Sequence, residues 1–176
     1  MSEIAKHVEG ILDLLEVDKT DMNYLDTPRR VARMLIEDFT PKPFAWATFN
    51  QDYNQMVVMR NHITFTRCPH HLERVRLNVS IGYIPNKRLL GLSKLPRLAD
   101  SLAVGCNLQE ALTNKIAEEL WNVLNPLGVG VFVLGQHNCM QARGVHTTGD
   151  VITSSFRGCM LEEGPARAEF LDLIRR

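Results

Sequence analysis

The chain has 176 residues, 45% of them hydrophobic, and 20 basic side chains balance 20 acidic ones. That length and composition support one good core in a single domain, and the zero net charge excludes a global electrostatic footprint for nucleic acid, so an anion site must come from local clustering. The apolar stretches are broken well short of membrane-spanning length, and the opening Met-Ser-Glu-Ile-Ala-Lys does not read as a signal peptide.

Ser2 is positioned to cap a first helix whose apolar residues Ile4, Val8, Ile11, Leu12 and Leu15 follow helical spacing. Asp26-Thr27-Pro28 supplies a cap and then a proline at the helix start, predicting a helix to about Phe39. On it Arg30 and Arg33 share a face. Pro41 and Pro43 end this helix, and a polar, irregular stretch is expected to about Gln55.

From Met56 to Ile84 the text alternates like strands: Thr64 and Thr66 flank Phe65, and Leu77, Val79 and Ile81 alternate with Asn78 and Ser80. Pro85-Asn86-Lys87 reads as the turn closing a hairpin. Ser93 is placed to cap a short helix with Pro96 in its first turn. Asn107, with Glu110 three residues on, has the form of a capping box opening a longer helix with the ridge Leu108, Leu112, Ile116, Leu120, Leu124. Pro126 and Gly128 break it. Val129 to Leu134 then reads as a buried strand running into His137 and Cys139. A strand through about Ser155 and a helix from Pro165 complete an α+β pattern with a mostly antiparallel sheet.

The chemistry concentrates at Arg67-Cys68-Pro69-His70-His71 and Gln136-His137-Asn138-Cys139. Taken singly, a cysteine more often packs as a small hydrophobe than binds a metal. Together Cys68, His71 and Cys139 are candidate zinc ligands, and a hydrolytic zinc site has three protein ligands and leaves the fourth position for water; no second Cys-x-x-Cys half makes this a zinc finger. His70 and His137 flank it as candidate proton-transfer groups. If His137 and Cys139 both lie on a strand, residues two apart face one site. The other two cysteines are Cys106 and Cys159; four in a chain this long are not a secreted disulfide framework, and thiolate ligands suit a reducing cytoplasm. Arg30, Arg33, Lys94, Arg97 and Arg143 are cations suited to phosphate oxygens, although each taken alone reads as a solvated surface charge. There is no Walker-type loop, and Gly128-Val129-Gly130 is too short for a dinucleotide fingerprint.

These segments resemble GTP cyclohydrolase I. The likeness is carried by Leu25-Asp26-Thr27-Pro28-Arg29-Arg30-Val31-Ala32-Arg33-Met34, Cys68-Pro69-His70-His71, Tyr83-Ile84-Pro85, Gly91-Leu92-Ser93-Lys94, Leu108-Gln109-Glu110 and His137-Asn138-Cys139-Met140-Gln141-Ala142-Arg143-Gly144. It implies a tunnelling fold, an antiparallel sheet with helices packed on one face, closed into an oligomeric β-barrel. A helical region over residues 1–55 would precede the catalytic domain, residues 56–176. The assembly implied is a homodecamer, a dimer of pentamers with active sites at subunit boundaries. Cys68, His71 and Cys139 match the zinc ligands; His70 and His137 match the proton-transfer histidines. Glu110 matches the carboxylate that holds guanine, Gln109 and Ser93 the purine and ribose region, and Arg30, Arg33, Lys94, Arg97 and Arg143 the triphosphate clamp. The activity implied is hydrolysis of GTP at C8 to formate and 7,8-dihydroneopterin triphosphate, a first step toward folate, pterin cofactors or 7-deazaguanine bases, in the cytoplasm and without nucleic-acid or membrane partners.

Three segments depart from the family. Pro69 stands where Glu is usual, Arg74-Val75-Arg76-Leu77 replaces a Pro-Phe-x-Gly segment, and Ala103-Val104-Gly105-Cys106-Asn107 replaces an arginine-rich stretch. Rival readings are a homologue that binds purine nucleotide or partner subunits without turnover, a nitrile reductase of the same fold using a nucleophilic cysteine and NADPH, and a structural zinc module.

Overall fold

Residues 2–175 are described by a computed structural model, in which the chain divides into two compact units, Met1–Thr40 and Pro41–Arg176. In the first unit, helices α1 (Glu3–Leu14) and α2 (Thr27–Phe39) pack on one another. Ser2 caps α1 as its sequence requires, accepting from the Ala5 N–H at 3.3 Å. Asp26 occupies the cap position of α2 but makes no cap hydrogen bond. Its carboxylate instead accepts from Arg29 at 2.6 and 2.9 Å, and this bond with the adjacent cations holds its pKa at about 2. Ala5, Val8 and Ala32 are buried, whereas Ile11, Leu14, Leu15 and Leu25 are exposed. Of the predicted apolar ridge only Val8 is fully covered, because two helices cannot enclose a stripe that wide.

The second unit is built on a four-stranded antiparallel sheet in the order β2-β3-β5-β6, formed by Val57–Arg67, Arg74–Ile84, Gly128–His137 and Val151–Gly158. A second, two-stranded sheet pairs β1 (Thr48–Asn50) with β4 (Arg88–Leu90). The strand β1 falls inside the stretch expected to be irregular. The turn at Pro85-Asn86-Lys87 does not close a hairpin either: both edges of β3 are taken by β2 and β5, so β4 turns away to β1.

Alternation decides the faces. Leu77, Val79, Ile81 and Tyr83 of β3, with Val129, Val131 and Val133 of β5, join one apolar cluster with Leu112, Ile116 and Leu120 of α4 (Gln109–Leu124) and Leu95 and Leu98 of α3 (Lys94–Leu102). Leu108 is half exposed and stands outside α4, so the ridge begins at Leu112. The α+β class and antiparallel sheet hold, but the helices are not confined to one face. Helix α6 (Pro165–Arg175) buries Phe170 with Phe156, Met160, Val58 and Phe132 in a second cluster. The reason is glycine: a Cβ at Gly82 would come within 2.6 Å of the Phe170 ring, and one at Gly130 within 3.0 Å. These bare positions make the socket for the aromatic ring on the other side of the sheet. No helix among the described residues is long and apolar enough to cross a membrane.

Candidate metal centre and nucleotide pocket

Strand register brings the two metal-motif segments together. Thr66 of β2 pairs with Val75 of β3, and Val75 pairs with His137 of β5. The residues just beyond Arg67 and His137 therefore leave the sheet at the same end. Cys68 begins a tight loop after β2, closed by Leu72 N–H donating to Cys68 O and Cys68 N–H donating to Glu73 O, both at 2.9 Å. Leu72 takes a left-handed conformation with φ 55°, and the buried Arg67 guanidinium donates to its carbonyl. Cys139 is not on the strand. β5 stops at His137, and Asn138–Gln141 form a single helical turn, α5. The two residues share a site because the chain coils there, not by strand alternation.

A third segment is tied to the same end. Arg67 N–H donates to Gly105 O at 3.0 Å, and Asn107 N–H donates to Arg67 O at 3.1 Å. The Asn107 side chain donates to Thr66 Oγ1 and Val104 O at 3.0 and 3.2 Å. Asn107 is thus engaged in this anchor, and the expected capping box does not form; Leu108 occupies the cap position with no side-chain bond. Gly105, at φ 74°, supplies the left-handed turn that allows the approach. The result delivers the first turn of α4, with Gln109 and Glu110, beside the cysteine loop.

Cys68, Pro69, His70, His71, Gln109, Glu110, His137 and Cys139 line one cavity of about 320 Å³, with Leu108, Met140 and Val151 among its apolar walls. A larger hollow of about 600 Å³ beyond the far end of β3 is lined by Asn50, Asp52, Tyr53, Asn86 and Lys87 among others. It brings no thiol or imidazole, so the reactive chemistry belongs to the smaller cavity. Ser93, Lys94, Arg97 and Arg143 do not line that cavity; all but the half-buried Lys94 are exposed. Ser93 precedes α3 but makes no side-chain cap bond. Arg30 and Arg33 are exposed on α2.

The ligand atoms of Cys68, His71 and Cys139 all lie within 4.8 Å of one another. Cys68 Sγ is 3.7 Å from His71 Nδ1 and the same distance from His70 Nδ1. Donors around one tetrahedral zinc stand roughly 3.5–4 Å apart, given bonds of about 2.0–2.3 Å, so the cluster fits such an ion with little adjustment. Burial and the neighbouring Cys68 sulfur push the Cys139 thiol above its ordinary pKa. A nearby cation would reverse that, since two thiolates this close repel unless their charge is neutralised.

His137 is half-buried. Burial lowers its pKa, against an opposing pull from the Glu110 carboxylate, so the ring favours the neutral form. Its Nε2 lies 2.8 Å from the side-chain oxygen of Gln109, a contact that the sequence did not signal. Gly135 makes room for it: a Cβ there would fall 2.0 Å from that oxygen. A glycine two residues before His137 in a buried strand was the available clue. Arg67 and Asn107 were also missed, since their work is to hold loops rather than to meet a ligand.

The profile of the GTP cyclohydrolase I family matches residues 4–175. The chain is similar to "GTP cyclohydrolase 1" of Porphyromonas gingivalis, 40% identical over 99% of this chain and 94% of that protein. The protein of the same name from a Hydrogenobaculum species is 37% identical over the whole of both chains. The Saccharomyces cerevisiae protein, also so named, is 37% identical over all of this chain and 75% of its own length. A likeness that runs through both metal-motif segments and across nearly every residue is one of descent, and the chain belongs to the GTP cyclohydrolase I family.

Proposed function

We propose that the chain is a zinc-dependent GTP cyclohydrolase I that hydrolyses GTP at C8, releasing formate and giving 7,8-dihydroneopterin triphosphate. The observation that supports this most is the meeting of Cys68, His71 and Cys139 with His137 and Glu110 around one cavity in a member of this family. Cys68, His71 and Cys139 hold the zinc, which when bound supplies Lewis-acid activation of water near neutral pH. Glu110, in the first turn of α4, accepts from the two adjacent N–H groups on the guanine edge and so reads the base. Leu108, Met140 and Val151 give the apolar walls against which a purine packs. His70, exposed beside Cys68, and His137 exchange protons with the substrate as the imidazole ring opens and formate leaves. The Gln109 side chain is fully engaged within the protein, so its contact to the purine falls to its main-chain N–H at the helix start.

The triphosphate is gripped by Arg30, Arg33, Lys94, Arg97 and Arg143, with Ser93 toward the ribose, and part of this set comes from a neighbouring subunit. Residues 56–176 form the catalytic domain, preceded by residues 1–55, in which helices α1 and α2 are followed by the short strand β1. A homodecamer, two pentamers whose sheets join into a barrel, would complete each site. The enzyme works in the cytoplasm on free GTP, with no nucleic-acid or membrane partner, and opens synthesis of folate, pterin or 7-deazaguanine compounds. The test is incubation of the zinc-loaded protein with GTP, following formate and the fluorescent pterin. Both products are expected in equal amounts. GTP binding without formate would identify a purine-binding homologue instead.

A further inference from the structure

Gln109 is among the most buried polar side chains of the chain, 3% exposed, and its amide has no freedom of orientation. Its nitrogen faces two main-chain carbonyls, Val133 O at 3.2 Å and Val151 O at 2.9 Å, and Thr153 Oγ1 at 3.1 Å. Carbonyl oxygens only accept, so the NH2 group belongs on that side and the amide oxygen must face His137. The hydroxyl network agrees. Thr113 donates to Gln109 O at 2.7 Å, so Thr153 must donate across the 2.7 Å contact to Thr113, which leaves the Thr153 oxygen free to accept from the amide. An amide oxygen 2.8 Å from His137 Nε2 demands a hydrogen on that nitrogen.

We propose that Gln109 is a positioning residue that keeps a hydrogen on His137 Nε2, leaving Nδ1 as the atom that takes and returns the substrate proton. The device is held by Gly135, where any side chain would expel the amide oxygen, and by Thr113 and Thr153 behind it. It differs from a substrate contact, because every polar atom of the Gln109 side chain is already satisfied inside the protein. Giving the proton transfer to Nδ1 rests on the cyclohydrolase reading; the tautomer does not.

Nitrogen-15 spectra of the zinc-loaded protein with labelled histidine, recorded at mildly alkaline pH, test the tautomer directly. The His137 signals are identified by their loss in His137→Asn, with the unchanged signals of the other histidines showing that this variant is folded. A pyrrole-type Nε2 and a pyridine-type Nδ1 are expected, and an Nδ1–H ring in the unaltered protein would overturn the proposal. Gln109→Met and, independently, Gly135→Ala should mix the two tautomers while zinc content is retained. On GTP, kcat should fall on the order of 100-fold, the scale of a displaced proton-transfer group, with KM little changed. A rise in KM at unaltered kcat would make Gln109 a substrate reader and sink the positioning role. If Nε2–H is found but no GTP is turned over, the tautomer stands and the assignment of Nδ1 to catalysis falls with the cyclohydrolase reading.

Discussion

At the scale of single residues, the proposed reading gives the cysteines and Glu110 separable tasks. Cys139→Ala removes one of three donors lying within 4.8 Å of one another. A zinc ion held by the remaining thiolate and imidazole alone would be far weaker, since a catalytic zinc site rests on three protein donors. Metal analysis after dialysis should find the variant empty and inactive, and Cys68→Ala should behave alike. Full occupancy in either would reject this donor set. Glu110 is exposed in the first turn of α4, where the helix start favours its negative charge. Glu110→Ala should keep its zinc yet weaken GTP binding by roughly 1–3 kcal/mol, because guanine N–H groups are left without an acceptor. Titration with GTP and ATP checks the point. Unchanged discrimination between the two would show that something else reads the base.

At the scale of elements, the C-terminal helix α6 depends on one ring. Phe170 is fully buried over Gly82 and Gly130, which offer no side chains to fill the gap. Phe170→Ala should destabilise the protein by about 3–5 kcal/mol, read as a lower denaturant midpoint, while Gly82→Ala fails for the opposite reason, overpacking against the same ring. The sequence made most of these elements legible. The alternation of Leu77, Val79 and Ile81 and the ridge from Leu112 to Leu124 each report a buried face directly, and all are buried. The meeting of Cys68, His71 and Cys139 was legible too, because a cysteine–histidine pair at close spacing and a distant cysteine beside a histidine together suggest one site. What local pattern could not carry were long-range competitions. Asn107 carries the signature of a cap, but Thr66 and Val104 claim its amide. The Pro85 turn has hairpin composition, yet β3 has no edge left for β4. Cys139 reads as a strand residue until β5 ends two positions early. Gln109 was legible as a site residue, but its bond to His137 joins residues 28 positions apart, and only the folded sheet reveals it.

At the scale of the whole molecule, the cation set decides how many chains make one site. Lys94, Arg97 and Arg143 lie outside the cavity lining of their own chain, and in the proposed assembly other subunits would complete a triphosphate clamp that includes them. Mixing inactive Arg30→Ala with inactive His137→Ala under subunit exchange should restore part of the activity, because some boundaries then unite a sound clamp with a sound catalytic histidine. Verified exchange with no recovery, or a fully active monomer, would overturn a shared site. The pairing of Thr66 with Val75 and of Val75 with His137 has a further consequence for how the chain reaches its native state. A slip of one residue in either ladder turns every side chain of that strand to the opposite face and shifts its end by about 3.3 Å. Metal–ligand bonds tolerate errors of only about 0.2 Å. With zinc bound as proposed, the cysteine–histidine cluster would act as a proofreader of strand alignment: chains annealed out of step would not retain the ion, and metal content would count the correctly threaded ones.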